Sequence, residues 1–153
     1  MPKTISKDMP LSEITLRRYE KPYNMSKRDL IRKVCLSTGL LQPGDSRDVV
    51  VDVFHVLLDA KGKKVFMNSD KVREEVINLR KRNNMALNGI ASSNIRRQLK
   101  RLRDLFLVEK VKNDYRITEF DEIHNLFEQK VEEYLIKNIV SRVKEYFQAV
   151  KDL

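Results

Sequence analysis

A basic segment with helical periodicity constrains the fold of this chain more than any other feature. The segment Val76–Arg103 carries eight lysines and arginines and no acidic residue. Within this segment and just after it, apolar residues recur at steps of four, three and four, namely Ile95, Leu99, Leu102 and Phe106. Such spacing puts the four side chains on one side of an α-helix. The sequence therefore predicts a helix that buries one face and exposes a basic one.

The exposed face of this predicted helix, residues 92–105, carries side chains of the kinds that can hydrogen bond to DNA bases. The side opposite the apolar stripe holds five polar residues: Ser93, Asn94, Arg97, Lys100 and Arg101. An arginine fork matches the acceptors of guanine, and an asparagine amide matches adenine. We expect this helix to enter a DNA major groove. The alternative is an ordinary amphipathic helix whose charged face is only solvated.

Positive charge is concentrated in the middle of the chain. Residues 61–118 contain 16 basic and 6 acidic groups, whereas residues 1–60 contain 10 and 8, and residues 119–153 contain 5 and 8. A charge needed only for solubility would be spread more evenly, and a solvated helix face would mix both signs to form pairs between neighbouring turns. The distribution indicates a surface that binds a polyanion.

Composition argues against several classes of protein. The chain has no run of 18 apolar residues and no apolar signal segment, so we expect neither a membrane span nor secretion. The single cysteine, Cys35, rules out an internal disulfide and suits a reducing cytoplasm. Asp52, His55 and Asp59 share a helix face, but three ligands on one straight helix seldom converge on one ion. We expect no enzyme activity, metal or cofactor, and no residue cluster indicates a small-molecule effector site.

Turn signals and apolar periodicity divide the chain into three parts. Residues 1–24, with three prolines, are expected to form a flexible arm. Residues 25–118 are expected to contain four helices and three short strands, over residues 27–38, 46–62, 64–67, 69–82, 92–105, 107–111 and 115–118. The final two strands form a predicted hairpin with Asn113 and Asp114 in its turn.

Residues 119–153 form the third part, and a single long helix is predicted there. No proline or glycine occurs from Asp121 to Leu153, and apolar residues recur at steps of four or three. This stripe is longer than one small domain can cover, which favours a dimer. The predicted interface contains eight residues: Ile123, Phe127, Val131, Leu135, Ile139, Val143, Tyr146 and Val150. The alternative is that the helix folds back on the first helix and completes a single core.

An element order and a short motif together carry a resemblance to a known superfamily. Residues 46–118 run helix, strand, helix, helix, hairpin, and the motif is Ile90-Ala91-x-Ser93-x-Ile95-x-Arg97-x-Leu99-x-x-Leu102. This half of the chain resembles the winged helix-turn-helix superfamily, particularly prokaryotic regulators of the multiple-antibiotic-resistance and arsenic-repressor kinds. Where that family usually has a glycine before the wing strand, this chain has Phe106. The resemblance implies a mainly α fold with a small β-wing, an added N-terminal helix and a long C-terminal helix.

The resemblance also implies roles for the polar and basic residues. The residues that would read base edges are Ser93, Asn94, Arg97 and Arg101. The residues that would lie near phosphates are Arg80, Lys81, Arg82, Arg96, Lys100 and Arg103. The residues that would put the wing, 107–118, against the DNA backbone or minor groove are Lys110, Lys112 and Arg116.

Two functions from different classes follow from these patterns. The leading hypothesis is a cytoplasmic, homodimeric protein that binds specific sequences of double-stranded DNA and regulates transcription. The second is a winged-helix subunit of a replication, segregation or transcription assembly, in which the helices bind another protein. A monomer without affinity for duplex DNA would favour the second.

Overall fold

Most of the described chain is helical, and a small three-stranded antiparallel sheet completes it. The computed structural model describes residues 7–153. The first elements are α1 Lys27–Ser37, α2 Val49–Gly62, β1 Met67–Asn68, α3 Ser69–Arg82, α4 Ser92–Asp104, β2 Val108–Val111 and β3 Asp114–Ile117. A 3₁₀ turn, Thr118–Phe120, follows. The C-terminal helix then has three segments: α5 Ile123–Leu126, the π-helical segment Phe127–Ile136, and α6 Lys137–Lys151. The prediction of a mainly α fold with a small β element is confirmed.

Helix α2 is the centre of the core because nearly all of its surface is apolar. It packs against α1, α3, α4 and β3. Phe54 and Leu57 have no exposed surface, and burying a side chain of this size contributes about 1.5–3 kcal/mol. From α4, Ile95, Leu99 and Leu102 enter the same core and are also fully buried. The predicted apolar stripe of the basic helix is therefore confirmed up to Leu102.

The sheet holds the hairpin against the helical core. Strand β3 lies between β1 and β2, with Met67 opposite Tyr115 and Val108 opposite Ile117. Two details differ from the prediction. The first strand is only Met67–Asn68, since Asn68 already caps α3 by accepting a hydrogen bond from the Lys71 amide at 2.8 Å. The hairpin turn is Lys112–Asn113, and Lys112 takes the positive φ of 58° that a tight turn requires.

Phe106 ends α4 in the conformation that a glycine would usually supply. Its φ is +63°. Its amide donates to the Arg103 carbonyl at 2.9 Å, and the Leu107 amide donates to the Leu102 carbonyl at 3.2 Å. This pair of bonds is the Schellman arrangement, which turns the chain sharply after a helix. The Phe106 ring then packs edge-on against Tyr134, with 6.0 Å between ring centroids, so the same residue joins α4 to the C-terminal helix.

The segment predicted to be a flexible arm is packed against α1 over residues 14–20. The Arg17 guanidinium donates to the carbonyls of Leu36 and Leu41, at 2.8 and 3.3 Å. Ile14 and Tyr19 pack against the core. These contacts hold residues 14–20 against the end of α1 and the turn after it, in a stretch where the sequence predicted a flexible arm. Residues 1–6 of the predicted arm lie outside the described residues.

The C-terminal helix departs from a uniform α-helix where its apolar residues are spaced widest. From Ile123 to Val143 the stripe advances only in steps of four. In a helix of 3.6 residues per turn, each such step rotates the stripe by about 40°. The wider π-helical turns of Phe127–Ile136 counter that drift. Within residues 7–153, no helix combines the length and the apolar character needed to cross a membrane.

Part of the predicted dimer interface belongs to the core of the subunit. Val131 is buried, Leu126 belongs to the core cluster, and Ile123 packs against that cluster. Ile123 and Val131 are therefore corrected from dimer contacts to internal contacts, because the first turns of the C-terminal helix cover the domain. Val143, Tyr146 and Val150 remain exposed.

The left-handed backbone at Phe106 generates a stability prediction. Phe106→Ala and Phe106→Gly both remove the contact with Tyr134, but only glycine relieves the cost of a positive φ. We expect the glycine variant to be more stable than the alanine variant by about 1 kcal/mol, measured by urea unfolding. An alanine variant as stable as the glycine variant would contradict the conformation assigned to this position.

Candidate nucleic-acid interface

The outward face of α4 is polar, and its arginines are free of acidic partners. Ser93, Arg96, Arg97 and Arg103 are exposed on the side away from the buried stripe. In the part of the chain that the structure describes, no carboxylate comes within 4.0 Å of these three arginines. Because the apolar residues fix the back of the helix, the guanidinium groups are held out together toward solvent. This is the arrangement that the sequence predicted for these residues.

One acidic residue, Asp104, lies near the C-terminal end of this face. Lys100 pairs with Asp104 at 3.1 Å, four residues further along the helix. Both side chains are mostly exposed, so the pair adds little stability. Its effect is on the local potential, because the Asp104 carboxylate offsets the positive charge at the C-terminal half of α4. Arg96 and Arg97 in the N-terminal half and Arg103 in the C-terminal half keep their full positive charge.

Two residues predicted to read bases hold the flank of α4. Arg101 donates to the Gly39 carbonyl at 3.1 Å and to the Gln98 amide oxygen at 2.9 Å. Asn94 donates to the Gly89 carbonyl at 2.7 Å and accepts from Gln98 at 3.0 Å. The chain of bonds ties α4 to the turns at both of its ends. Asn94 and Arg101 therefore hold α4 to the neighbouring turns, and a role for either residue in reading bases stays a prediction.

Arg80 is the clearest correction, because it is buried and not near the surface. Its guanidinium forms an ion pair with Asp52, which has no exposed surface, and donates to the Ala86 carbonyl at 2.6 Å. Asp52 also pairs with Arg28 of α1. Burial is the largest influence and opposes the charge of Arg28, but its hydrogen bonds to Asp52 and Asp48 and the attraction of both carboxylates together outweigh burial and raise the arginine pKa. Arg80 thus joins α1, α2, α3 and the loop before α4.

Asp48 completes this ionic cluster. It lies at the start of α2 and accepts from Arg28 at 3.0 Å and from Arg32 at 3.2 Å, while Arg80 lies 3.4 Å away. Arg73 of α3 binds the other end of the loop between α3 and α4, because it donates a hydrogen bond to the Ile90 carbonyl at 2.6 Å. The connection between α3 and α4 is therefore held at both ends by arginines of α3, and this fixes where α4 begins.

The remaining predicted phosphate contacts are exposed. Lys81 and Arg82, in the last turn of α3, have exposed side chains, and cations are favourable at that end of a helix dipole. Lys110 and Lys112 are exposed on the β2–β3 hairpin. Arg116 differs, because it pairs with Glu109 at 2.7 Å. Its guanidinium also lies 4.8 Å from two aromatic ring centroids, those of Phe66 and Phe120. Arg116 is corrected to a residue that rigidifies the hairpin.

Two cationic side chains at this surface were missed in the sequence. A cleft of about 430 Å³ between α4 and the turn before α2 is lined by Arg97 and also by Arg47. A second cleft, of about 460 Å³, is lined by Lys100, Arg103 and Lys110, and also by Lys130 of the C-terminal helix. Neither residue could be found from periodicity, because each comes from an element far away in sequence from α4.

No family model, curated protein or solved structure matches this chain.

The titratable residues of α1 and α2 are accounted for by packing. Burial raises the pKa of the Cys35 thiol to about 12, which leaves the thiol protonated and unreactive in the folded protein. Burial lowers the pKa of His55, against the opposing effect of Asp59, whose carboxylate lies 3.5 Å from the imidazole. Asp52 is occupied by two arginines. Within residues 7–153, no group of three or more potential metal ligands is assembled.

Burial of the Arg80–Asp52 pair generates a prediction about stability. Arg80→Met removes one partner and leaves the Asp52 carboxylate buried with incomplete compensation, so we expect a loss of about 3–5 kcal/mol in the free energy of unfolding. Arg82→Met, two residues further along the same helix, is the matched control and is expected to change it by less than about 0.5 kcal/mol. Urea unfolding of both variants makes the measurement. Equal stability of the two would show that the ion pair is not structural.

Proposed function

We propose that residues 49–117 form a winged helix-turn-helix domain and that the protein binds specific sequences of double-stranded DNA as a transcriptional regulator. The support is topological. A helix, a short strand, two helices and a hairpin follow one another, and the first strand pairs with the last so that the hairpin extends from the end of α4. In this order α3 is the supporting helix, α4 the recognition helix and the β2–β3 hairpin the wing.

The observation that carries the proposal is the two-sided character of α4. Ile95, Leu99 and Leu102 are fully buried, and Arg96 and Arg97 are exposed and free of carboxylates among the described residues. A rigid helix that presents guanidinium groups in its first two turns suits the major groove, where base contacts come from the N-terminal part of the recognition helix. In the proposal, Ser93, Arg96 and Arg97 contact base edges or the phosphates beside them.

Exposed cations around α4 would contact phosphates and position the helix. These are Arg47, Lys81, Arg82, Lys100, Arg103, Lys110, Lys112 and Lys130. Such contacts supply affinity that depends on salt but not on sequence. In the proposal the protein is a cytoplasmic homodimer without catalytic activity or cofactor, and paired subunits occupy paired half-sites.

The first prediction from this proposal concerns Arg97. With duplexes selected by the protein from a random pool, Arg97→Ala should weaken binding by about 1–3 kcal/mol and relax the preference at one base position. The matched control is Arg142→Ala, an exposed arginine on α6. Fluorescence anisotropy with matched and mismatched duplexes makes the comparison. Arg97→Ala binding with the affinity and base preference of Arg142→Ala would exclude α4 as the reading helix.

The second prediction concerns the hairpin. Lys110→Ala combined with Lys112→Ala should lower affinity equally for selected and unrelated duplexes, because both lysines are assigned to phosphates. Each lost phosphate contact should reduce the slope of log affinity against log salt by about 0.9. Salt titrations on both duplexes test this. A loss confined to the selected duplex would mean that the hairpin reads sequence.

A further inference from the structure

Helix α6 carries an apolar face that nothing in its own subunit covers. Among the described residues, α6 forms no substantial contact with any element except the π-helical segment before it. Tyr146, Phe147 and Val150 are 69%, 74% and 68% exposed, and Leu153 at the end of the chain is fully exposed. Val140 and Val143 are 44% and 47% exposed. The face begins where the core contacts of the C-terminal helix end.

The apolar residues of this face follow a heptad repeat. Ile136, Val140, Val143, Phe147 and Val150 advance by steps of four, three, four and three. In heptad notation Ile136, Val143 and Val150 are d positions, and Val140 and Phe147 are a positions. A repeat of seven keeps the a and d residues against a partner helix over its whole length. The spacing therefore differs from the steps of four that fit the π-helical segment.

The area of the face is what a specific interface requires. The exposed fractions given above correspond to roughly 600 Å² of mainly apolar side chain, with about 150–250 Å² for each whole aromatic side chain. A monomer rarely exposes a patch of this size without a partner. A standard interface buries about 800 Å² on each side, and the aliphatic stems of flanking lysines can supply the difference.

The residues that flank the seam select both the partner and its direction. Every e position is a lysine, namely Lys137, Lys144 and Lys151, and every g position is apolar, namely Ile139, Tyr146 and Leu153. In an antiparallel pair of identical helices, e faces e and three lysines would oppose three lysines. In a parallel pair, e faces the g position of the other helix, so that the Lys144 stem covers Ile139, Lys151 reaches the ring of Tyr146, and Lys137 lies beside Glu132.

We propose that residues 136–153 form a parallel two-stranded coiled coil with a second copy of this chain. The pairing deepens the homodimer of the proposed function, and it rests on that proposal only where DNA is concerned. A two-fold axis along a parallel coil puts both domains at the same end of the coil. Both α4 helices then lie on one side of the dimer, where they can reach neighbouring half-sites.

The oligomeric state tests the pairing without DNA. Sedimentation equilibrium at about 10 μM should show a dimer. Phe147→Glu puts a charge in the seam and should weaken dimerisation at least 100-fold. Ser141→Glu, on the opposite face of α6, should leave dimerisation within about threefold of wild type. Because α6 is outside the core, Phe147→Glu should unfold at the same urea concentration as wild-type protein that has been diluted until it is monomeric. A wild-type monomer would overturn the proposal and favour the protein-interaction function.

Cysteine cross-linking tests the direction. Val150→Cys should form a disulfide with its own copy in the partner, because d residues of a parallel pair face each other within the Cα distance of about 4.4–6.8 Å that a disulfide needs. In an antiparallel pair centred on α6, Val150 would face Val140 instead, with about 15 Å between the two Val150 positions. Buried Cys35 does not compete. Cross-links only in mixtures of Val140→Cys with Val150→Cys would overturn the parallel arrangement. Absence of DNA binding by a cross-linked dimer would contradict the proposed function alone.

Discussion

The buried carboxylate of Asp52 connects the parts of this molecule that must keep a fixed geometry. It lies on α2, the central helix, and its two oxygens are bound by Arg28 from α1 and Arg80 from α3. A carboxylate without exposed surface is costly unless both oxygens are paired, so the arrangement of the three helices that brings both arginines to Asp52 is favoured. Arg80 extends that constraint to the Ala86 carbonyl, in the loop that leads to α4. The start of α4 is thereby tied to the core.

The cations of the basic segment divide into two groups with different tasks. Arg80 and Arg101 donate to carboxylates, carbonyls or amides inside the subunit, and they position α4. Arg96, Arg97 and Arg103 are exposed and free of such partners among the described residues. Net charge cannot separate the two groups, since every member contributes the same charge. The proposed interface is therefore smaller than the basic segment.

Much of the fold could be predicted from the sequence because apolar spacing determines which faces are buried. The stripe Ile95, Leu99 and Leu102 predicted α4 and its orientation. The burial of Arg80 was missed, although it follows Val72 and Val76 at steps of four on the buried face of α3. A second signal for this burial was Asp52, an acidic residue among the apolar residues of α2 that pairs with Arg80. Arg47 and Lys130 could not be predicted, because only the tertiary fold brings them to the α4 surface.

The C-terminal helix shows how spacing within one stripe can separate two tasks. Steps of four run through the π-helical segment, where Val131 is buried, and a heptad spacing that starts at Ile136 continues through the exposed residues Val140, Val143, Phe147 and Val150. The prediction treated the stripe as one dimer surface because both spacings read as amphipathic helix. The heptad spacing therefore begins close to the point where internal contacts end.

Selection of bound sequences from a random duplex pool tests the central claim most directly. If α4 reads a major groove in each subunit of a dimer, the selected sequences should share a motif with guanines, repeated about 10–10.5 base pairs apart or at a multiple of that distance. A pool that remains random after repeated selection would contradict the assignment of α4 as a recognition helix.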